Sequence, residues 1–253
     1  MSKFQKGVIT LSIDDGRKDA FPLMEEVLNK YNIPATFNII SGYINLTDKP
    51  SSAINLEELK GIHKNPLMEI AAHGHLHKND DEDIIKGRDL LYEWLEIEEP
   101  TIGFASPGSG MVKDYIIENQ QKLEDLGFLY IRTGFAKEFR NPEAHERHSD
   151  KEVGGIDELY YSFDNMCINS VPILTGRTVE SMKKMVELAA DEKACLTLMF
   201  HSVRKAGEYD PEDLWTYDYD KFVEFMEYLA QKRDAGEIEI LTTKDAFIKG
   251  KTY

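Results

Sequence analysis

Short apolar runs alternate with amphipathic segments along the whole chain. The runs are rich in β-branched and aliphatic side chains, which is typical of strands buried on both faces. They predict strands at 8–13, 33–40, 67–72, 101–105, 128–133, 159–163, 194–200 and 238–241. Between them, apolar residues recur with the period of a helix. This pattern predicts helices at 19–31, 56–64, 80–98, 112–126, 179–191, 219–235 and 243–249.

Two stretches depart from this alternation. Residues 135–155 are charged and polar, which predicts a long loop or lid, and long loops of this kind are often functional. The pattern of residues 166–173 is ambiguous and does not distinguish one class of secondary structure from another.

The alternation of strands and helices predicts an α/β fold with parallel strands and right-handed crossovers. A closed barrel and an open doubly wound sheet both fit this order. Polar clusters favour the barrel, because each follows the end of a different predicted strand, at 14–15, 73–77, 106–108 and 201. A barrel brings such ends together on one face. We therefore predict a distorted (β/α)7-8 barrel, and with no internal repeat or linker we predict one domain over residues 1–253.

The overall charge narrows the possible partners. The net charge of −16 disfavours nucleic acid and anionic membrane surfaces as partners, because the chain has no basic stripe. No apolar run approaches the roughly 20 residues that span a bilayer. The N-terminal residues do not resemble a signal peptide, and Cys167 and Cys195 are predicted to be buried thiols. These features predict a cytoplasmic protein, and they leave its oligomeric state open.

Three of the seven histidines fall within five residues, in the sequence HGHLH. His73 and His77 are four residues apart, so a helical turn would place their rings side by side. Two imidazoles at this spacing can hold one transition metal, with His75 pointing toward solvent or a second layer of contacts. The alternative is an ordinary polar loop.

Two further polar sites complete a candidate catalytic set. Asp14 and Asp15 follow the first strand and precede Gly16, which is also a common turn pattern. One carboxylate added to the two imidazoles gives three ligands and leaves an open position, as in catalytic zinc sites, while the other carboxylate could act as a base. His201 ends the apolar run LTLMFH, where either a buried core histidine or a general acid would fit.

These residues resemble the motifs of a known family. The segments SIDDG, EIAAHGHLH, FASPGSG and LTLMFH are similar to the first, second, third and last motifs of the polysaccharide deacetylases, which are carbohydrate esterase family 4 with the NodB-homology domain. The motifs occur in the family's order within residues 7–201. The family's fold is a distorted (β/α) barrel, which agrees with the strand count.

The resemblance also implies roles for individual residues. It makes Asp14 the general base and His201 the general acid. It makes Asp15 a ligand of a divalent metal, together with His73 and His77. The expected ion is Zn²⁺, with Co²⁺, Ni²⁺ or Mn²⁺ as alternatives. A backbone N–H near Gly108, after Pro107, would contribute to an oxyanion hole.

Three positions depart from the family's pattern. Ala105 stands where the family often has an arginine that orients the base, so other groups must tune Asp14. Gly74 stands where the family commonly has a serine or threonine that stabilises the loop. The fourth motif, which usually contains an aspartate and a tryptophan, has only Asp164 within 163–165 as a nearby candidate.

The resemblance implies a metal-dependent hydrolase that removes an acyl group, expected to be N-acetyl, from a carbohydrate or sugar conjugate. One alternative is an amide hydrolase of sugars or small molecules, similar to deformylases or allantoinase-like enzymes. Another alternative is a catalytically silent carbohydrate-binding domain, which the departures from the third and fourth motifs would suggest.

Overall fold

The strands of the protein lie close to their predicted positions. The computed structural model describes residues 2–18, 21–46, 53–97, 102–134, 159–209 and 213–253. The strands in these residues are Gly7–Ile13 (β1), Ala35–Ile39 (β2), Met68–Ala72 (β3), Ile102–Ala105 (β4), Phe128–Thr133 (β5), Cys167–Asn169 (β6), Val171–Pro172 (β7), Cys195–Phe200 (β8), Ser202–Arg204 (β9), Thr216–Asp218 (β10) and Ile238–Leu241 (β11). The loop or lid predicted at 135–155 lies outside the described residues.

Helices connect most of the strands. They are Phe21–Tyr31 (α1), Leu56–Lys64 (α2), Asp81–Leu95 (α3), Lys113–Glu118 (α4), Gln120–Asp125 (α5), Val179–Glu192 (α6), Tyr219–Asp234 (α7) and Thr243–Gly250 (α8). No helix among the described residues has the length and apolar character needed to cross a membrane.

The strands form a parallel, nearly closed barrel. Their order in the sheet is β6-β5-β4-β3-β2-β1-β8-β7. Only Ser170 separates β6 from β7, and this continuous segment pairs first with β5 and then with β8. The two ends of the sheet are therefore joined through one piece of chain, and the predicted distorted (β/α) barrel is confirmed.

The distortion of the barrel is clearest beside β1. One edge of β1 pairs with β8 from Val8 to Ile13. On the other edge, Gly7 to Thr10 pair with β11, and only Ser12 and Ile13 pair with β2. Strand β11 thus occupies the edge of β1 at the N-terminal end, and β2 takes over toward the C-terminal end, where the site lies.

The helices begin where short polar side chains can accept hydrogen bonds from free backbone amides. At α2, the Asn55 side chain accepts from Glu58 N at 2.9 Å, and the Glu58 side chain accepts from Asn55 N at 2.7 Å, which forms a capping box. Asp80 caps α3 by accepting from Asp83 N at 3.1 Å. These local signals explain why the predicted helix boundaries are nearly correct.

One hydrophobic core underlies the whole arrangement. All seven residues of β1 are buried, as expected for a strand with helices or other strands on every side. The same core includes residues from the first helix to the last, such as Met24 and Phe247. The fold is thus a single domain, while the boundaries 1–253 stay a prediction.

The predicted strand at 159–163 is wrong. Tyr160 makes only one antiparallel bridge with Cys195, and Phe163 makes only one parallel bridge with Lys251. The apolar pattern there reflects aromatic packing, because the Phe163 ring lies 5.2 Å from the rings of Tyr160 and Phe247. The predicted helix at 112–126 is in fact two short helices, which divide at Asn119.

A second small sheet was not predicted. Strands β9 and β10 pair in parallel, with Ser202 opposite Thr216 and Arg204 opposite Asp218. Each strand is too short for its apolar pattern to stand out in the sequence. This ladder continues directly from the end of β8 and therefore shapes the wall of the site.

Candidate active site

The polar clusters predicted from the sequence meet in one cavity at the C-terminal ends of the barrel strands. The cavity has a volume of about 320 Å³. Its lining includes Asp14, Asp15, His73, His77, Gly108 and His201, each of which was a predicted site residue. The walls come from the ends of β1, β3, β4 and β8, which is the face where barrel enzymes place their chemistry.

Asp15, His73 and His77 form a candidate metal site. One ligand atom from each residue lies within 4.8 Å of the others. Asp15 Oδ1 is 3.6 Å from His73 Nε2 and 3.9 Å from His77 Nε2. Ligand atoms around a tetrahedral ion at about 2.1 Å stand about 3.4 Å apart, so these residues fit a divalent ion after small side-chain movements.

Hydrogen bonding orients the His73 ring for this task. His73 is buried, and its Nδ1 lies 2.8 Å from the backbone oxygen of Ala105. That oxygen can only accept, so Nδ1 carries the proton and the Nε2 lone pair faces the cavity. The His77 side chain is more exposed, and its ring centre lies 4.8 Å from that of His73.

The two histidines meet without the helical turn that the spacing suggested. Residues 73–77 form a loop in which Gly74 has φ +77° and His77 has φ +62°. His75 turns away from the cavity, and its Nδ1 lies 2.9 Å from Ser41 Oγ. Asp15 also has a positive φ of +77°, the kind of strained backbone that clusters at functional sites.

Asp14 is buried beside this donor set and faces it with one oxygen. Its Oδ1 accepts a hydrogen bond from Asn38 Nδ2 at 2.7 Å and another from Arg132 Nη2. Its Oδ2 lies 3.8 Å from both His73 Nε2 and His201 Nε2. Burial alone would raise the pKa of Asp14, but Arg132 and the neighbouring imidazoles outweigh burial and hold the pKa below its usual value.

Arg132 lines the cavity and contacts Asp14, although the sequence motifs do not indicate it as a site residue. It is only 1% exposed, and it lies near the end of β5 with Nη1 3.0 Å from Met199 Sδ. In the register of the sheet, Arg132 is the direct partner of Ala105. The guanidinium that Ala105 cannot supply therefore comes from the next strand. The available signal was a lone arginine within the apolar run FLYIRT.

His201 directly follows the end of β8. It faces Asp14 Oδ2, whereas Arg132 binds Asp14 Oδ1. Its ring centre is 4.4 Å from that of Trp215, which also lines the cavity. Burial lowers the pKa of His201 below its usual value, although the charges of Asp14 and Asp15 oppose the shift. No hydrogen bond to His201 Nδ1 exists within the described part of the chain.

The turn after β4 forms another part of the wall. Pro107–Ser109 is a single 3-10 turn in which Gly108 has φ +54°, and Gly108 lines the cavity. Asn79 holds this turn, because its Nδ2 donates to Pro107 O at 2.9 Å and its Oδ1 accepts from Ser106 Oγ at 2.8 Å. Pro107 itself is buried and is not among the residues that line the cavity.

The fourth-motif candidate does not reach the site. Asp164 is exposed, and its neighbour Phe163 packs against α8 beside the start of β8, at the N-terminal end of the barrel. Asp164 Oδ1 accepts only from the adjacent Asn165 side chain among the hydrogen bonds of the described residues. The aromatic side chain beside His201 comes instead from Trp215, just before β10.

The fold and the donor set define the class of this protein, a parallel α/β barrel with a candidate Asp-His-His metal site at its C-terminal strand ends. Residues 2–124 match the sequence model of the family described as Polysaccharide deacetylase. This match covers just under half of the chain, and it confirms the resemblance to the polysaccharide deacetylases that the motifs predicted. No curated protein sequence matches this chain.

Solved structures share the fold over almost the whole chain. A putative polysaccharide deacetylase from Mycobacterium smegmatis has a TM-score of 0.59 at 14% identity, covering 97% of this chain and 90% of that one. The Bc1960 peptidoglycan N-acetylglucosamine deacetylase has a TM-score of 0.53 at 13% identity, with 98% and 91% covered. A Streptococcus mutans CE4 esterase has a TM-score of 0.52 at 13% identity, with 95% and 87% covered. At these identities the likeness establishes the fold alone.

Proposed function

We propose that this protein is a metal-dependent hydrolase that removes an acyl group, with N-acetyl expected, from a carbohydrate or sugar conjugate. The observation that carries the proposal is the convergence of two groups of residues. The three donors of Asp15, His73 and His77 lie within 4.8 Å of one another. Asp14 and His201 line the same cavity, with Asp14 Oδ2 3.8 Å from His201 Nε2.

The donor set supports a divalent ion, with Zn²⁺ as the first choice and Co²⁺, Ni²⁺ or Mn²⁺ as alternatives. Two imidazoles and one carboxylate suit these ions and leave a position open for the reaction. When bound, such an ion would acidify water and polarise the acyl carbonyl.

Asp14 is proposed to be the general base. Arg132 and Asn38 both bind its Oδ1, so Oδ2 remains to accept a proton from the attacking water. The lowered pKa of Asp14 keeps the carboxylate ionised at neutral pH. General base catalysis of this kind contributes about 10²–10⁴ in rate.

His201 is proposed to deliver the proton to the leaving amine or alcohol. Its Nε2 lies 3.8 Å from Asp14 Oδ2, so a proton has only a short way to travel between base and acid. Burial lowers the pKa of His201, so the resting ring is neutral near pH 7 and can receive that proton. The backbone N–H of Gly108 is the proposed donor to the developing oxyanion, because the 107–109 turn presents Gly108 to the cavity.

The cavity supports a small acylated sugar unit as the reacting group. Its volume of about 320 Å³ is at the lower end of the range for ligand sites. The Trp215 ring lies in its wall, and an aromatic face can pack against the apolar face of a sugar ring.

The test combines metal binding with product analysis. The protein is stripped with a chelator, reloaded with Zn²⁺ or Co²⁺, and incubated with N-acetylated oligosaccharides, O-acetylated xylan and N-formylated sugars. We expect metal-dependent release of acetate. Release of formate alone would instead support a deformylase, and tight metal and glycan binding without any acyl release would support a silent binding protein.

Three variants make this test specific. Asp14→Asn should bind the metal with wild-type affinity, because Asp14 is not one of the three donors, but should lose about 10²–10⁴ in kcat. His77→Ala should lose the metal, whereas His75→Ala should keep it, because the His75 ring faces Ser41. An Asp14→Asn variant with full activity would remove Asp14 from the role of base.

A further inference from the structure

One carboxylate outside the cavity holds the loop that carries two of the histidines. Asp83, near the start of α3, is buried and accepts three backbone N–H groups. Its Oδ2 accepts from His75 N at 2.9 Å and Lys78 N at 3.0 Å, and its Oδ1 accepts from Leu76 N at 2.7 Å. The three amides surround His77 on both sides in the sequence. The Gly74 and His75 carbonyls also accept backbone hydrogen bonds, from Ser41 N and Gly42 N, but they lie only before His77. The Asp83 side chain therefore holds the backbone both before and after this residue.

Close packing between α3 and the loop makes these bonds possible. A Cβ at Gly74 would lie 2.5 Å from Asp83 Oδ2, which is closer than a Cβ atom can approach an oxygen without a shift. A Cβ at Gly87, one turn further along α3, would lie 2.6 Å from the carbonyl carbon of Gly74. The two glycines thus let the helix and its carboxylate approach the loop, and Gly74 also supplies the positive φ of +77° that the loop needs.

The direction of the His77 ring depends on the conformation of its backbone more than the direction of the His73 ring does. The His73 ring is buried and bonded to Ala105 O, whereas the His77 side chain is 38% exposed. Among the described residues, no hydrogen bond orients the His77 ring. Its φ of +62° is a conformation that a histidine rarely adopts unless its surroundings hold it there. The amide contacts of Asp83 are such a constraint.

We propose that Asp83 is a positioning residue for metal binding, which fixes the 74–78 loop so that His77 points into the donor set before an ion arrives. The inference rests on the proposed metal site but not on the acyl chemistry. Partners of this kind, one contact removed from the ion, typically change metal affinity by about 10- to 100-fold.

The test compares Asp83→Asn with Asp80→Ala as a matched control. Asparagine has the shape of aspartate, but its amide nitrogen cannot accept, so at least one of the three loop bonds is lost. Asp80 belongs to the same helix start, but its side chain caps only the helix, at Asp83 N. By titration calorimetry with Zn²⁺ or Co²⁺, we expect Asp83→Asn to bind about 10- to 100-fold more weakly than wild type, and Asp80→Ala within about threefold.

Hydrogen exchange of the metal-free wild type provides a second readout that needs no variant. The amides of His75, Leu76 and Lys78 should be protected, although the loop lies at the surface and the Leu76 side chain is 49% exposed. Exchange of these amides at the rate of an unstructured chain would overturn the proposal. Wild-type metal affinity in a folded Asp83→Asn variant would overturn it as well, while leaving the hydrolase proposal intact. A wild-type protein that binds no divalent ion would overturn both.

Discussion

Asp14 is surrounded by more charged and polar groups than any other carboxylate of the site. Two donors hold its Oδ1, and two imidazole nitrogens lie 3.8 Å from its Oδ2. Because the residue is only 2% exposed, water screens these interactions little. The nearest compensating charge is the guanidinium of Arg132, and it keeps Asp14 ionised in a buried position.

Removing this guanidinium should therefore change the pH dependence of the reaction. In Arg132→Gln the pKa of Asp14 should rise, because the charge that lowers it is gone while burial still opposes ionisation. The acidic limb of the kcat/KM profile should move to higher pH, and activity below neutrality should fall by more than activity above it. The profile is measured from pH 4.5 to 9 with the metal-loaded enzyme.

A control separates this effect from a general loss of charge. Lys122→Gln removes the cation of the exposed Lys122–Asp81 pair, where little effect is expected. Arg132→Gln should also lower the stability of the fold by about 3–5 kcal/mol, because it leaves a buried carboxylate without its cation. An acidic limb that stays in place in a folded Arg132→Gln variant would show that Arg132 does not tune the base.

The contrast between Asp14 and Arg132 shows which residues a sequence can reveal. Asp14, Asp15, His73 and His77 were identifiable because each belongs to a short local pattern directly after a strand. The role of Arg132 depends instead on the register that places it opposite Ala105. Register between separate strands is set by tertiary packing, so the lone arginine in the run FLYIRT indicates a buried cation but not which carboxylate it contacts.

At the scale of elements, the β9–β10 ladder is the part of the site that is least evident in the sequence. Strand β9 follows His201 directly, and its pairing with β10 brings Trp215 back over the His201 ring. The backbone N–H of Trp215 donates to Asp213 Oδ1 at 3.1 Å, and this hydrogen bond helps to fix the position of Trp215. The fourth-motif candidate around Asp164 lacks the tryptophan that is usual in the family, whereas this ladder supplies an aromatic side chain from further along the chain.

Replacing this aromatic side chain should affect substrate binding. Trp215→Ala should raise KM about tenfold, which corresponds to a loss of about 1.4 kcal/mol of packing against the sugar. Trp215→Phe should keep most of the affinity, because it retains an aromatic face. Steady-state kinetics on the best substrate of the panel measure both values.

The neighbouring Leu214 provides the matched control for this prediction. Its side chain is 39% exposed and is not part of the cavity lining. Leu214→Ala should leave KM within about twofold of wild type, since an exposed side chain away from the substrate contributes little. Equal KM values for wild type and Trp215→Ala would exclude Trp215 from the substrate site.

The other end of the barrel contains a partly buried carboxylate, and it has a structural effect. Glu69 on β3 accepts from Thr36 Oγ1 at 2.7 Å, Tyr130 Oη at 2.8 Å and Lys244 N at 2.9 Å, which ties β2, β5 and α8 together. Burial raises the pKa of Glu69 despite these three hydrogen bonds. The contribution of Glu69 to the free energy of unfolding is therefore fully present below its unfolded pKa of about 4.3. It decreases as pH rises through the pKa of the folded state.

Glu69→Gln should consequently change the pH dependence of stability. The difference in unfolding free energy between Glu69→Gln and wild type should become more favourable to the variant as pH rises from about 4 to 7, because only the wild type must ionise a partly buried group. Urea unfolding at several pH values measures this difference. Metal affinity should stay unchanged, since Glu69 lies outside the cavity lining. A difference that stays constant with pH would contradict this account of Glu69.

At the scale of the whole molecule, the fold follows from the order of its elements. Alternating strands and helices predicted a parallel sheet, and polar residues after four strand ends correctly favoured a barrel over an open sheet. Besides the β9–β10 sheet, two features of the barrel escaped prediction because they depend on packing between distant segments. One is β11 beside β1, and the other is the joint segment of β6 and β7 that nearly closes the sheet.

The most direct test of the whole account is anomalous X-ray diffraction from crystals of the zinc-loaded protein, recorded on both sides of the zinc absorption edge. The account predicts one strong peak in the cavity, about 2.0–2.2 Å from an oxygen of Asp15 and from Nε2 of His73 and His77. The Asp14 carboxylate should face this peak without binding it. A peak bound by other residues, or no peak in the cavity at full zinc loading, would contradict the central claim.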